Sequence, residues 1–225
     1  MKTMTFHAEG GRVTFPNDKA MDLDTFREWI SSDELPEKCT AYFHRGLMGV
    51  DMSKEQLYTH AAVKTRFAIA LGGLVDQHDL GEFFSNGVLL TNYHALLSCN
   101  PDGTFVSHDA FETRRVRAIQ GASEGFVELD GSPDMVLEVV SDSSVKKDTQ
   151  TLVKAYWEAE IPEYWLVDAR GEQPIFRILK HGPKGYTDVR KSAGWLKSTV
   201  FEASFKLTKT VNRHGHPTYT IEVKR

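Results

Sequence analysis

The chain has 225 residues, of which 40% are hydrophobic and 26% charged, the ordinary profile of a globular protein. No apolar run approaches the ~20 residues of a membrane span, and the N-terminal stretch lacks the apolar core of a signal peptide. The two cysteines, Cys39 and Cys99, stand in no metal-ligand spacing. We therefore expect a cytoplasmic protein without a membrane anchor or a disulfide framework.

Charge is unevenly distributed along the chain. Residues 170–225 contain twelve Lys and Arg but four Asp and Glu, which gives them a net charge of +8. Because the whole chain has a net charge of −4, residues 1–169 have a net charge of −12. A basic tail on an acidic body can form a polyanion-binding surface. A solvated sheet edge is an equally weighted interpretation, since lysine is common on edge strands.

Apolar periodicity predicts two helices in the first third of the chain. Residues 21–31 form a short helix capped by Asp22 or Asp24. A longer helix opens at Ser53 and ends near 72–73 or 78, and residues 41–52 before it are ambiguous, with an extended conformation as one interpretation. Four short extended segments, punctuated by Gly, Asn, Pro and Asp, follow: 81–84, 87–90, 102–107 and 135–141.

The second half of the chain contains a strand–helix–strand unit. A helix over about 146–160 stops before Pro162, and the strand 164–167 after it should lie parallel to 135–141. A meander of short strands comes next, at 175–179, 186–189, 205–207 and 219–223. No repeat or linker is visible, so we expect a single domain over 1–225, with a core at about 20–180 and a basic β extension from about 170.

Two carboxylates, Asp134 and Glu138, stand in the otherwise apolar strand 135–141 or at its start. A buried carboxylate is costly unless it is paired. The two acids face the same side but lie ~13 Å apart along a strand, too far to share one metal ion. Asp102, at the start of another strand, can lie one strand spacing of ~4.8 Å from Glu138. Such a pair favours a hard cation such as Mg²⁺, which leaves Asp134 a structural or supporting role.

The string PDMVLEVVSDSS, with Asp148 and KAYWEAEIPEYWLVDA after it, resembles the Uma2 family of restriction-endonuclease-like proteins in the PD-(D/E)xK nuclease superfamily. The resemblance covers roughly residues 20–180 and includes Glu55 and His60 upstream. It implies an α/β (α+β) fold with a central mixed β-sheet flanked by helices, followed by the C-terminal β-meander. By this resemblance Asp102 matches the first metal-binding aspartate and Glu138 the acid of the half-motif, while His60 could hydrogen-bond near the site.

The chain departs from the superfamily pattern at the lysine. Val140 stands at the usual lysine position. In Uma2-like proteins a lysine on the following helix takes its place, and that position is Leu152 here. Lys154 is the nearest lysine and ranks first, although it is turned by about 200° from Leu152 around a helix. Lys146 and Lys147, at the helix start, are the other candidates.

The resemblance implies an endonuclease dependent on Mg²⁺ or Mn²⁺ that hydrolyses DNA phosphodiester bonds. Asp102 and Glu138 would hold the metal, and Lys154 would complete the catalytic set. The alternative is a catalytically impaired nuclease fold that binds nucleic acid or a partner protein, and Val140 and Leu152 favour it. A hydrolase of another phosphoester is a third interpretation. We expect DNA as the partner, and the sequence does not decide between a monomer and a homodimer. The negative charge of residues 1–169 disfavours tight binding to duplex DNA unless the basic residues 170–225 line the DNA-binding groove.

Overall fold

The computed structural model describes residues 3–8, 11–16, 22–32, 39–121 and 125–225. Within these ranges the chain has a mixed α+β fold, with two six-stranded mixed sheets, a three-stranded antiparallel sheet and a two-stranded hairpin. This architecture confirms the predicted class of a mixed sheet flanked by helices.

The α-helices of the described residues are α1 (Leu23–Ile30), α2 (Ala62–His78), α3 (His108–Glu112) and α4 (Leu152–Glu158). Helices α2 and α4 pack on opposite faces of one six-stranded sheet. A π-helical turn precedes α2 at Leu57–Ala61, and another precedes α4 at Lys147–Thr151. Each π-helical turn runs directly into its α-helix, so each pair forms one continuous helical segment.

Most of the strands have six residues or fewer. In chain order they are β1 (Thr3–Ala8), β2 (Gly11–Pro16), β3 (Thr40–His44), β4 (Leu47–Asp51), β5 (Gly81–Ser85), β6 (Leu89–Asn92), β7 (Leu97–Cys99), β8 (Gly103–Ser107), β9 (Val116–Gln120), β10 (Phe126–Gly131), β11 (Met135–Val139), β12 (Glu163–Asp168), β13 (Ile175–Gly182), β14 (Gly185–Asp188), β15 (Leu196–Lys197), β16 (Ser204–Val211) and β17 (Pro217–Lys224).

The central sheet has the order β14-β13-β12-β11-β8-β5. Strands β11 and β12 are parallel, as the strand–helix–strand unit predicted, and α4 lies in the crossover between them. Both faces of β11 are covered, because Leu137 belongs to a core cluster with Phe67 and Trp165 while Val136 belongs to another with Tyr156. Continuous apolar strands are typical of sheets covered on both faces. The carboxylate in this strand therefore lies in the interior.

Several local predictions hold and others need correction. Asp22 caps α1 by accepting the Thr25 N–H at 2.8 Å, and residues 41–52 are extended, in the hairpin β3–β4. The second helical segment begins at Leu57 rather than Ser53, because the Ser53 N–H is bound by the Asp51 side chain at 2.8 Å and Gln56 is extended. It ends at His78, the later of the two expected ends.

The second six-stranded sheet was not predicted. Its order is β4-β3-β7-β6-β10-β9, with β6 and β10 parallel. Strands β7, β9 and β10 escaped prediction, because β7 is only three residues long and the sequences VRAIQ and FVELDG do not alternate cleanly. In the predicted C-terminal meander, β13 and β14 extend the central sheet, whereas β15, β16 and β17 form the separate antiparallel sheet.

A buried carboxylate ties the central sheet to the loop after β15. Glu163, on β12, is fully buried. Its Oε1 accepts the backbone N–H of Thr199 at 2.6 Å, and its Oε2 accepts the Ser198 hydroxyl at 2.7 Å and the Trp165 indole N–H at 2.9 Å. Because these donors converge on one side chain, its loss would leave several of them buried without an acceptor.

We expect Glu163→Ala to lower the free energy of unfolding by at least ~3 kcal/mol, since each buried unsatisfied donor costs ~1–3 kcal/mol. Urea denaturation followed by circular dichroism measures the change. Glu172→Ala removes an exposed glutamate and should stay within ~0.5 kcal/mol of the parent. An equally small effect for both variants would show that Glu163 does not hold the two parts of the fold together.

Candidate active site

The antiparallel register of β8 and β11 places the two predicted acids opposite each other. Leu137 pairs with Gly103, and one further step along this register sets Glu138 opposite Asp102. Asp102 precedes β8 directly, and its Oδ2 accepts the backbone N–H of Val139 at 2.8 Å. The sheet therefore places Asp102, directly before β8, opposite Glu138 on the neighbouring strand β11.

Glu138 lies in the interior with two partners on the following helical segment. Its side chain is only 2% exposed. Its Oε1 accepts the Tyr156 hydroxyl at 2.6 Å, and its Oε2 lies 3.6 Å from Lys147 Nζ. Burial raises the pKa of Glu138 to about 8, and the charges of Asp148 and Asp102 add to the rise while Lys147 and Tyr156 oppose it.

Lys147 lies between two buried carboxylates. Its Nζ is 3.1 Å from Asp148 Oδ1 as well as 3.6 Å from Glu138 Oε2. Burial lowers the pKa of Lys147, but the two negative charges outweigh this effect and hold the pKa above its ordinary value. The ammonium group is therefore charged throughout the physiological range.

Asp148 is the third carboxylate of this cluster. Its Oδ2 accepts the Ser144 hydroxyl at 2.5 Å. Its Oδ1 is buried without a hydrogen-bond donor among the described residues, so its approach to Lys147 is an ion pair without hydrogen-bond alignment. Burial raises the pKa of Asp148 above its ordinary value against the opposing charge of Lys147.

Asp102 is held from the other face of the sheet by α2 and the turn before it. His60 Nε2 lies 3.5 Å from Asp102 Oδ2, and Lys64 Nζ lies 3.5 Å from Asp102 Oδ1. Burial raises the pKa of Asp102, but the hydrogen bond and charge of His60 and the charge of Lys64 outweigh it and hold the pKa below its ordinary value. Glu55 joins the group through His60 Nδ1 at 2.9 Å and through an ion pair with Lys64.

Lys64 was missed by sequence reasoning. It follows His60 by four residues, and residues at that spacing share one face of a helix. The helical spacing from His60 was thus a signal in the sequence, once His60 had been placed near Asp102.

Asp134 lies at the opposite end of β11 from Glu138. Its Oδ2 accepts the Ser107 N–H at 2.7 Å, and its Oδ1 pairs with Arg115 Nη2 at 2.5 Å. These contacts tie the start of β11 to the end of β8. Asp134 thus has contacts of the structural kind that the spacing along the strand indicated.

Lys154 is not brought to the carboxylates. Its side chain is 68% exposed, and its Nζ lies 3.8 Å from Glu158 Oε1 on the same helix. The physical reason is the orientation of α4, which buries Leu152 and Tyr156 against the sheet and turns Lys154 outward. The lysine that contacts Glu138 is Lys147, one of the two alternatives considered at the helix start.

The donor set suits a hard divalent cation in part. Across the described residues no group of three His, Cys, Asp or Glu side chains is arranged to hold a metal ion. Mg²⁺, however, commonly binds one or two carboxylates and keeps several waters. One step beyond the paired residues of β8 and β11, Asp102 and Glu138 lie opposite each other in the strand register. The residues therefore fit a metal held by two carboxylates and water.

A mixed sheet flanked by helices, with acids opposed on two central strands, is the architecture of a restriction-endonuclease-like nuclease fold. Residues 23–208 match the Uma2 family, described as "Putative restriction endonuclease". The match spans most of the chain, which therefore belongs to the Uma2 family.

A solved structure agrees with this assignment at the level of the fold. It is a "putative nuclease belonging to DUF820" from Anabaena variabilis ATCC 29413, similar with a TM-score of 0.58 and 14% sequence identity over 81% of this chain and 91% of that one. No curated protein matches the sequence. In the part of the chain that the structure describes, no helix is both long and apolar enough to span a membrane.

The buried Glu138 makes stability depend on pH. Its pKa of about 8 in the folded chain exceeds the ordinary 4.5, so between these values the folded state holds a proton that the unfolded state has released. Stability from this group is complete below pH ~4.5 and is lost as the pH rises through about 8. Glu138→Gln removes the titration while keeping the shape of the side chain.

We expect the free energy of unfolding of the parent, relative to Glu138→Gln, to decrease as the pH rises from ~5 to ~8. Urea denaturation in EDTA at several pH values measures it, with Glu172→Gln as the exposed control. A difference that does not change with pH would mean that Glu138 is already ionised at pH ~5 in the folded protein.

Proposed function

We propose that this chain is a metal-dependent nuclease that hydrolyses DNA phosphodiester bonds. The observation that carries the proposal is the pair Asp102 and Glu138, opposed on adjacent strands, with the charged Lys147 at 3.6 Å from Glu138. Carboxylates beside a fixed ammonium group are the elements that metal-assisted phosphoryl chemistry needs. The family assignment supports the same class of reaction.

Each residue of the site has a distinct task in this proposal. Asp102 and Glu138 would hold Mg²⁺ or Mn²⁺, which when bound lowers the pKa of a water ligand and offsets charge on the phosphate. Lys147 would stabilise the negative charge that develops on the phosphate oxygens. His60 and Lys64 keep Asp102 ionised.

Residues 170–225 would contribute the positive surface for the DNA backbone, because their net charge is +8 whereas residues 1–169 carry −12. We propose that the whole chain works as one cytoplasmic domain of this kind. A homodimer is left open by this proposal.

A second candidate function is a catalytically impaired nuclease fold that binds nucleic acid or a partner protein. The observation in its favour is the internal pairing of the site. Lys147 is already engaged with Glu138 and Asp148, and Leu152, the position where the resemblance to Uma2-like proteins implies a lysine, is fully buried. Such a site would be neutralised by its own residues, without a metal ion.

The first test is cleavage of plasmid and single-stranded DNA with Mg²⁺, with Mn²⁺ and with EDTA. We expect metal-dependent cutting that Glu138→Ala and Asp102→Asn each reduce by at least ~100-fold, since each removes a metal ligand. Glu172→Ala, an exposed acid, is the matched control and should cut like the parent. Complete absence of metal-dependent cutting would support the impaired-fold alternative, whereas cutting that survives in Glu138→Ala would remove Glu138 from the proposed metal site.

The second test separates the two lysines. We expect Lys147→Ala to reduce the cleavage rate by about 10²-fold, the order seen when one electrostatic donor of an active site is lost. Lys154→Ala should change it by less than about twofold, since this side chain is exposed and pairs with Glu158. The opposite ranking would return the catalytic role to Lys154. Thermal unfolding of both variants checks that each is folded at the assay temperature.

A further inference from the structure

A cavity of about 300 Å³ opens beside Lys147. It lies between the hairpin β3–β4 and the segment that leads into α4. Its lining includes Tyr42, Leu47, Asn100, Ser143, Lys146 and Lys147. The volume is at the lower end of cavities that bind small organic ligands, and Lys147 connects the cavity directly to Glu138.

One wall of the cavity is aromatic and apolar. Tyr42 and Gly49 are paired across the hairpin, and the Tyr42 ring lies over Gly49 so closely that a Cβ there would overlap it. Glycine at this position therefore allows the ring to lie against the strand, at the edge of the cavity. Leu47, which is 53% exposed, extends the same wall. The half-buried Tyr42 ring and the exposed Leu47 side chain give this wall an aromatic and apolar surface that suits a planar ring.

The other wall is polar and basic. Lys146 is exposed at its edge, and Lys147 lies at the inner end beside the acids. Asp51 is the acidic residue of the lining, and it is occupied by the Ser143 hydroxyl at 2.7 Å and the Ser53 N–H at 2.8 Å. Since Lys147 is paired with Glu138 and Asp148, the exposed Lys146 is the cation of the lining toward which an anionic group can lie.

We infer that this cavity receives one unpaired nucleotide of the substrate strand, with its base against Tyr42 and its phosphate toward Lys146. The inference rests on the proposed nuclease function and adds a substrate class to it. A base can enter such a cavity only when it is unstacked and unpaired, which costs least in a single strand. The preferred substrates are therefore single strands, flaps and loops rather than intact duplex.

The test measures binding and cleavage separately on the full chain. Binding of a fluorescein-labelled 12-nucleotide single strand and of the same sequence in a duplex is followed by fluorescence anisotropy in EDTA. Tyr42→Ala removes the ring and Tyr42→Phe keeps it, while Lys146→Ala removes the charge at the edge. Arg66→Ala, which removes an exposed basic residue of α2 outside residues 170–225, is the matched control.

We expect the parent to bind the single strand at least about tenfold more tightly than the duplex. Tyr42→Ala should weaken single-strand binding at least about fivefold, the lower end for loss of one base stack, and leave duplex binding unchanged. Tyr42→Phe should bind like the parent, Lys146→Ala should bind more weakly, and Arg66→Ala should be unaffected. Equal binding of the two DNAs, or no effect of both Tyr42→Ala and Lys146→Ala, overturns the inference.

Two further measurements separate this inference from the proposed function and from a simpler ligand. If metal-dependent cleavage of duplex DNA is as fast in Tyr42→Ala as in the parent, the nuclease proposal is retained and the cavity has no part in the reaction. Single-strand binding that depends on Tyr42, without cleavage in any metal, supports the cavity and removes the nuclease activity. Competition by deoxynucleoside monophosphates as strong as that of the single strand would show that the occupant is a free nucleotide, which contradicts the assignment to a strand.

Discussion

The burial of the Glu138 carboxyl group is the constraint on which the rest of the site depends. The side chain belongs to a strand covered on both faces, so its carboxylate cannot reach bulk water and needs partners in the interior. Tyr156 and Lys147 supply them from a single helical segment. Breaking such a buried pair leaves an uncompensated charge, and the packing of this segment on the sheet is therefore coupled to the chemistry of the site.

Asp102 links this cluster to the opposite side of the sheet. It accepts the Val139 N–H from the strand that carries Glu138, and it faces His60 and Lys64 from the other helical segment. The two acids thus have opposite electrostatic environments. Cations keep Asp102 ionised, whereas burial among carboxylates favours the protonated form of Glu138. Pairs of acids with diverging pKa values are common where catalysis needs groups in different protonation states.

The acids could be predicted from the sequence, but the lysine could not. An apolar strand with one carboxylate, and a Pro-Asp pair before another strand, identify Glu138 and Asp102 because strand geometry has few alternatives. The choice among Lys146, Lys147 and Lys154 depends on the phase of the helix, which a π-helical turn shifts relative to the ideal ~100° per residue. The second sheet escaped prediction for a different reason, since its strands β9 and β10 are stabilised by pairing rather than by an apolar pattern of their own.

The same π-helical turn gives a physical account of how Lys147 reaches the carboxylates. The backbone N–H of Leu152 bonds to the carbonyl of Lys147, a hydrogen bond across five residues. In an ideal α-helix residues 147 and 152 would differ by about 140° around the helix axis. The wider π-helical turn reduces this angle, so the two residues lie nearer the same side of the helix. A lysine at 147 can therefore direct its ammonium group to the carboxylates that a lysine at 152 would face. Leu152 itself is fully buried in the core cluster that also contains Tyr156. A lysine at 147 and a buried leucine at 152 are thus compatible with one site, provided that the π-helical turn is kept.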